Sequence, residues 1–291
     1  MRICNFGSLN IDYVYRVAHI VQPGETIGGQ SFEIFAGGKG ANQSVALARA
    51  GASVAHAGRV GEDGRWLVEK LADLGVETQH IHVGDGRTGH AIIQVDQTGQ
   101  NAIVLYPGAN HQIDRTRIDR TLDHFGAADV LLLQNEINDV PYLIEAGRRR
   151  GMTVCFNPAP FDETVREYPL DQVDLLIVNE TEGRGLAGAD PIIPTLAKQY
   201  PQTRIILTQG KAGATYHGPD GSISVPAVSV DVVDTTAAGD TFIGYFLAAR
   251  AEGKSVKALL ELACAAAAIC VAKPGATDSI PSREEVQRSC T

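Results

Sequence analysis

The chain has 291 residues, enough for one large α/β domain or two modest ones. Its 44% hydrophobic and 20% charged content is that of an ordinary soluble protein. The formal charge of −9 (25 basic against 34 acidic residues) and a pI near 5.4 exclude general binding to nucleic acid or anionic membranes.

The N-terminal residues 3–9 read as a buried strand, which leaves no room for a signal-peptide core. Tyr13–Val17 and Ser31–Phe35 alternate as half-exposed strands do, around the turn-rich Gln22–Thr26. Ala36–Gln43 opens a helix that carries Val45 and Leu47 and stops at Gly51. A strand at Val54–Val60 and a helix at Arg65–Leu74 follow, the latter with Leu67, Val68, Leu71 and Leu74 on one face. His90–Val95 and Ala102–Tyr106 form a hairpin, so about four amphipathic strands lie outside the main rhythm.

From Val130 the βα alternation is regular. Buried strands are expected at Val130–Leu133, Val154–Phe156, Leu175–Val178 and Ile205–Leu207, with helices near 140–149 and 191–199. A hairpin turns at Pro219–Gly221, and the β-branched run Val232-Val233 reads as a strand that ends at Asp234. A long Ala-rich helix follows the N-cap Ser255 to about Ala272; at 14 residues, with Glu261 inside it, its apolar stretch Leu259–Ala272 is too short to span a membrane. Ser282–Glu285 is a capping box for a short last helix. The five cysteines (Cys4, Cys155, Cys264, Cys270, Cys290) are odd in number and scattered, which suggests free thiols in a reducing, cytoplasmic compartment. The economical architecture is one α/β domain over 1–291, its β appendage supplied by two insertions at about 11–36 and 88–108.

In doubly wound sheets ligands bind beyond the carboxyl ends of the strands, so polar residues there are the best candidates. Gly84–Gly89 fits GxGxxG, but a strand follows it where a helix should. Gly210-Lys211 resembles the end of a Walker A loop, yet Ala212 stands where Ser or Thr belongs. Gly37–Gln43 is a stronger signal: three glycines at a helix start admit a ligand to the backbone, and Lys39 and Asn42 suit a polyol. Asn10 and Asp12 follow the first strand, Glu136 and Glu182 follow later ones. Small residues between Asp234 and Asp240 precede another helix, whose N-terminus favours anions. A carboxylate there suits phosphoryl transfer to a hydroxyl; a plain strand–turn–helix is the competing reading.

Taken together, Gly37–Gln43, Asn157–Pro160, Asn179–Glu182 and Asp234–Gly244 resemble the ribokinase branch of the PfkB carbohydrate kinases. The match runs in register from Gly7 to the Lys273–Pro281 tail. It implies a three-layer α/β/α core with a mostly parallel sheet and a small β-sheet lid. It also implies ATP-dependent phosphorylation of D-ribose at the 5-hydroxyl, with another small sugar (deoxyribose, fructose) or a nucleoside as the alternative substrate. A sugar sensor would be expected to lose Asp240 or the glycine before it, and the failed GxGxxG context disfavours an oxidoreductase.

Position by position, the resemblance makes Asp240 the catalytic base and the amides of Ala237, Ala238, Gly239 and Asp240 the anion hole. Asn10, Asp12, Gly38, Lys39, Asn42 and Glu136 would grip the sugar, covered by Ala91 and Ile93. Asn179, Thr208, Gln209, Gly210, Lys211, Ala212, Gly213 and Gly239 would contact ATP, and Glu182 would organise Mg²⁺ waters. Cys264 falls where relatives often carry His or Asn near the adenine. Asp234, Thr236, Cys270, Lys273, Gly275 and Ser279 would hold K⁺. Asn135 replaces a more usual apolar residue. Lid strands often pair between two subunits in this family, which implies a homodimer.

Overall fold

The structure, a computed structural model, describes residues 1–289, so Cys290 lies outside the described residues. β1 (Ile3–Phe6) is buried at every position and lies between β4 (Val54–Gly61) and β8 (Val130–Gln134), parallel to both. Such strands have no solvent face, which is why they are continuous apolar runs. The sheet continues in parallel through β9 (Thr153–Asn157), β10 (Leu175–Asn179) and β11 (Arg204–Thr208). The antiparallel hairpin β12 (Ala214–Gly218) and β13 (Gly221–Val225) closes one edge, and β5 (Glu77–Gly84) forms the other. The nine strands run in the order β13-β12-β11-β10-β9-β8-β1-β4-β5.

Alternate residues divide the core between the two faces. On β8, Leu132 joins one cluster while Leu131 and Leu133 join the other. Each such side chain contributes about 2 kcal/mol on burial. Helices α1 (Lys39–Arg49), α7 (Ala238–Ala251) and α8 (Val256–Val271) contribute to the first cluster, and α4 (Val140–Arg149) to the second. Within the first, α7 is buried from Asp240 to Ala249, because α1 and α8 both pack against it. Gly244 permits the close approach of α1: a Cβ there would lie 2.4 Å from that of Ala46. This contact sets the N-termini of α1 and α7 side by side.

A separate four-stranded sheet is formed by β2 (Asn10–Arg16), β3 (Ser31–Gly37), β6 (Gly89–Val95) and β7 (Asn101–Tyr106), in the order β3-β2-β6-β7. Its pairing sets Asp12 opposite Ala91 and Phe35, and Val14 opposite Ile93. The four amphipathic strands expected outside the α/β rhythm are these.

Several expectations need correction. β1 ends at Phe6, and the chain from Asn10 already belongs to the second sheet. The edge strand β5 and the helices α3 (Arg115–Leu122) and α5 (Glu180–Ala187) escaped the sequence reading, because their polar faces dilute the apolar period. Val232-Val233 is no strand: both side chains are exposed (52% and 61%), and the Val233 and Asp234 amides donate to the Val271 carbonyl at the end of α8. The capping box at Ser282 is present, with its amide donating to Glu285 and the Glu285 amide to the Ser282 hydroxyl. Cys4, Cys155, Cys264 and Cys270 are buried and unpaired with one another.

Candidate active site

The parallel strands all end on one side of the sheet, and the polar residues gather there. Gly38, at φ 92°, turns the chain from β3 into α1, whose first turn carries Lys39, Asn42 and Gln43. The Lys39 amide donates to the Glu136 carboxylate at 2.9 Å, and the Ser8 hydroxyl donates to the same oxygen. Asn110 donates to the Asn10 side chain at 2.8 Å and accepts from the Leu9 amide, fixing the mouth of β1. Asn10, Glu136, Asn110, Leu105 and Pro160 line a cavity of about 210 Å³ beneath the second sheet. Asn135 lines it too, and its amide donates to the Pro160 carbonyl and to Asp162, so it pins the loop after β9.

Asp240 lies in the first turn of α7 and is 8% exposed. Asn42 donates to one of its oxygens at 3.2 Å and Gln43 to the other at 2.9 Å. Burial raises its pKa; Lys39 and the two amide donors oppose the shift. Burial, reinforced by Glu136 and opposed by Lys39, pushes Asp12 up to about 7. Burial alone would lower the pKa of Lys39, but Asp240, Glu136, Glu182 and Asp12 together raise it. One lysine thus faces four carboxylates and keeps its charge.

Ala237 precedes this helix at φ 60°, an unusual conformation for alanine that turns the chain into α7. The first-turn amides of Gly239 and Asp240 take no acceptor among the described residues, as helix N-termini leave them. A Cβ at Gly239 would meet nothing within 4 Å, so the turn is open at that residue.

At the end of β10, Asn179 and Glu182 form a reciprocal cap on α5: each backbone amide donates to the other side chain. Glu182 also accepts from the side chains of Asn179 and Asn157, and burial still raises its pKa. The 208–213 loop follows β11; Thr208 and Gln209 are half-buried, Gly210, Lys211 and Ala212 exposed, and Gly213 lies under β13. Cys264 is on α8, which packs against β12 and β13.

Asp234 accepts from the Thr236 amide and hydroxyl with one oxygen and from the Gly275 amide with the other. Burial would raise its pKa, yet these donors hold it below the usual carboxylate range. The Cys270 thiol lies 3.7 Å from the Thr236 carbonyl and 3.2 Å from the Ser279 hydroxyl, and Lys273 pairs with Glu285. All the residues the sequence placed in this group therefore lie on two segments that meet beside Ala237.

The sequence reading named Gln43 only as the end of the Gly37–Gln43 motif and missed the network beneath the site: Gln43, Gln134, Asn5, Ser44 and His56 form one hydrogen-bonded chain. Polar residues inside otherwise apolar strands, Asn5 in β1 and Gln134 in β8, were the available signal. Burial pushes His56 down to about 4, so it stays neutral.

A buried carboxylate at a helix N-terminus, first-turn amides without acceptors, and a cavity that Asn10 and Glu136 line are the parts a phosphotransferase site on an α/β fold needs. The chain belongs to the pfkB family of carbohydrate kinases, whose family model matches residues 1–283. It is 36% identical to a ribokinase of Haemophilus influenzae, over 96% of this chain and 95% of that protein. It is 32% identical to a deoxyribokinase of Salmonella typhi, over 98% and 97%. The structure of Arabidopsis thaliana ribokinase complexed with ribose and ATP aligns with a TM-score of 0.86 at 31% identity, covering 99% of this chain and 97% of that one. No helix among the described residues is long and apolar enough to cross a membrane.

Proposed function

We propose that this carbohydrate kinase transfers the γ-phosphoryl group of ATP to the 5-hydroxyl of D-ribose, giving D-ribose 5-phosphate and ADP. The observation that carries the reading is the buried Asp240, which accepts from Asn42 and shares the Lys39 ammonium with Asp12 and Glu136. Asn10, Asp12, Gly38, Lys39, Asn42 and Glu136 hold the sugar; the carboxylates and amides match vicinal hydroxyls as acceptors and donors. Asp240 takes the proton from the attacking hydroxyl as the new O–P bond forms and the bond to ADP breaks. The amides of Ala237, Gly239 and Asp240 stabilise the charge on the transferred group, and that of Ala238, which donates to the Thr235 carbonyl at 3.3 Å, joins them only by leaving that partner. Asn179, the 208–213 loop and Cys264 border the nucleotide. Within the single 1–291 domain, segments 11–36 and 88–108 act as a lid, with Ala91 and Ile93 on the same sheet face as Asp12. Its closure excludes water from the transfer.

Two cations fit the residues present. The Glu182 carboxylate already accepts three hydrogen bonds, which suits it to hold Mg²⁺-bound water; Mg²⁺ supplies charge neutralisation on the phosphates when bound. The Asp234 carboxylate and the backbone and hydroxyl oxygens at Thr236, Cys270, Lys273, Gly275 and Ser279 form an all-oxygen set for K⁺ beside the Ala237 turn. EDTA should abolish turnover, and replacing Na⁺ by K⁺ at constant ionic strength should raise it and also the Tm. Indifference of both rate and Tm to that exchange would remove the K⁺ assignment.

The lid face opposite Asp12 carries exposed Phe32, Ile34, Ile92 and Val104 (68% exposed), and a second copy of the chain would cover it. Val104→Arg is expected to convert a dimer into a monomer in sedimentation; a wild type that is already monomeric at micromolar concentration overturns this. Cytoplasmic residence follows from the need for ATP and the free thiols, and periplasmic recovery on fractionation would contradict it.

The competing substrates are deoxyribose, fructose and nucleosides. An ADP-release assay across ribose, deoxyribose, fructose and adenosine should give ribose the highest kcat/KM. Deoxyribose in that place would move the substrate within the class, and adenosine would overturn the sugar reading.

A further inference from the structure

The hydrogen-bonded chain beneath the site has a defined polarity, fixed independently at both ends. Asn157 donates to the Ile177 carbonyl, a group that only accepts, so the Asn157 oxygen must face Gln43. The Asn5 amide likewise donates to the Gly40 carbonyl, so its oxygen faces Gln134. Gln134 therefore donates, to Asn5 at 2.9 Å and to the Gln43 oxygen at 2.7 Å. From either direction Gln43 must present its NH₂ to Asp240, at 2.9 Å, and to Asn157, at 3.2 Å. Asn157 then donates to Glu182 at 3.3 Å. Gln43, Asn5 and Gln134 are almost fully buried, so no water can exchange for these bonds without rearrangement.

We propose that Gln43 is the positioning residue of this kinase: its amide holds Asp240 ionised and oriented, and links it through Asn157 to the carboxylate of Glu182. This rests on Asp240 being the base. Gln43 is fully buried, is not among the residues lining the cavity, and acts through Asp240. The groups that face Asp240 are Lys39, Asn42 and Gln43 of α1 and the Glu182 carboxylate of α5. Lys39 and Glu182 act with opposite sign. The two amides remain as the donors that favour the ionised form, and Asn42 is shared with the sugar.

The inference is tested by Gln43→Met, which keeps the volume and removes the donor, and by Gln43→Glu, which keeps the acceptor for Gln134 and replaces the donor by a carboxylate. In Gln43→Met, kcat at pH 7 should fall about tenfold to a hundredfold while the calorimetric Kd for ribose changes by less than about threefold. The acid limb of the kcat–pH profile should move up by about one unit, and further in Gln43→Glu. Asn157→Leu should raise the Mg²⁺ concentration needed for half-maximal rate. A merely structural Gln43 would lower Tm and leave the pH profile in place. If both Gln43 variants keep the wild-type acid limb, the positioning role is wrong, whereas an active Asp240→Asn would instead remove the base assignment beneath it.

Discussion

Asp240→Asn should lower kcat by roughly a thousandfold while ribose still binds, because the variant loses the general base and little of the sugar grip. The carboxylate is placed for that role by three features. It is almost buried, it lies in the first turn of α7 beside amides without acceptors, and each of its oxygens already accepts one hydrogen bond from α1. An asparagine there would set its own NH₂ against a donor. Gln43 is fixed by Gln134, whereas Asn42 can turn its oxygen to the new NH₂, because the Thr277 hydroxyl can donate to the Ala36 carbonyl and accept from the turned amide. With that turn the variant keeps its hydrogen bonds and sheds a buried charge, so the fold and the sugar grip should survive the substitution. Single-turnover measurement of ADP release, with calorimetric titration of ribose, separates the two effects. A variant retaining a tenth of the wild-type kcat would exclude Asp240 as the base.

The legible parts of this molecule were those with a strong local pattern. Apolar runs marked the parallel strands, two-residue alternation marked the second sheet, and glycine-rich helix starts marked the two turns that meet at Asp240. What failed shares one physical cause. Val232-Val233 has β-branched residues and looked like a strand, but its partner is a helix end, a tertiary fact that propensity does not encode. β5 is an edge strand with Glu77 and Gln79 exposed and His80 and His82 half-buried, so its apolar signal is weak. The connection among the amides under the site was invisible for a different reason: Asn5, Gln43, Gln134 and Asn157 come from four distant segments, and only the folded sheet joins them. Asn135 shows the same limit. Its identity was noticed as unusual, and the loop it pins explains it.

The second large effect concerns Lys39, whose ammonium faces Asp12, Glu136, Glu182 and Asp240. Lys39→Met should weaken ribose binding about tenfold or more and make the fold more sensitive to rising pH. The sign follows from the carboxylates. Asp12 and Asp240 already have folded pKa values above their unfolded value of 3.8, and Lys39 lowers both. Without it they rise further, so between pH 4 and their folded pKa the native state binds more protons than the unfolded one. Stability then falls as pH rises through that window and stays low above it. The variant should therefore lose little stability at pH 5 and on the order of 3 kcal/mol at pH 8, the scale for breaking a buried charge cluster by removing one partner. Urea unfolding of wild type and variant at the two pH values decides it. Equal losses at pH 5 and pH 8 would mean that Lys39 acts by packing, and the four carboxylates would need another counter-charge.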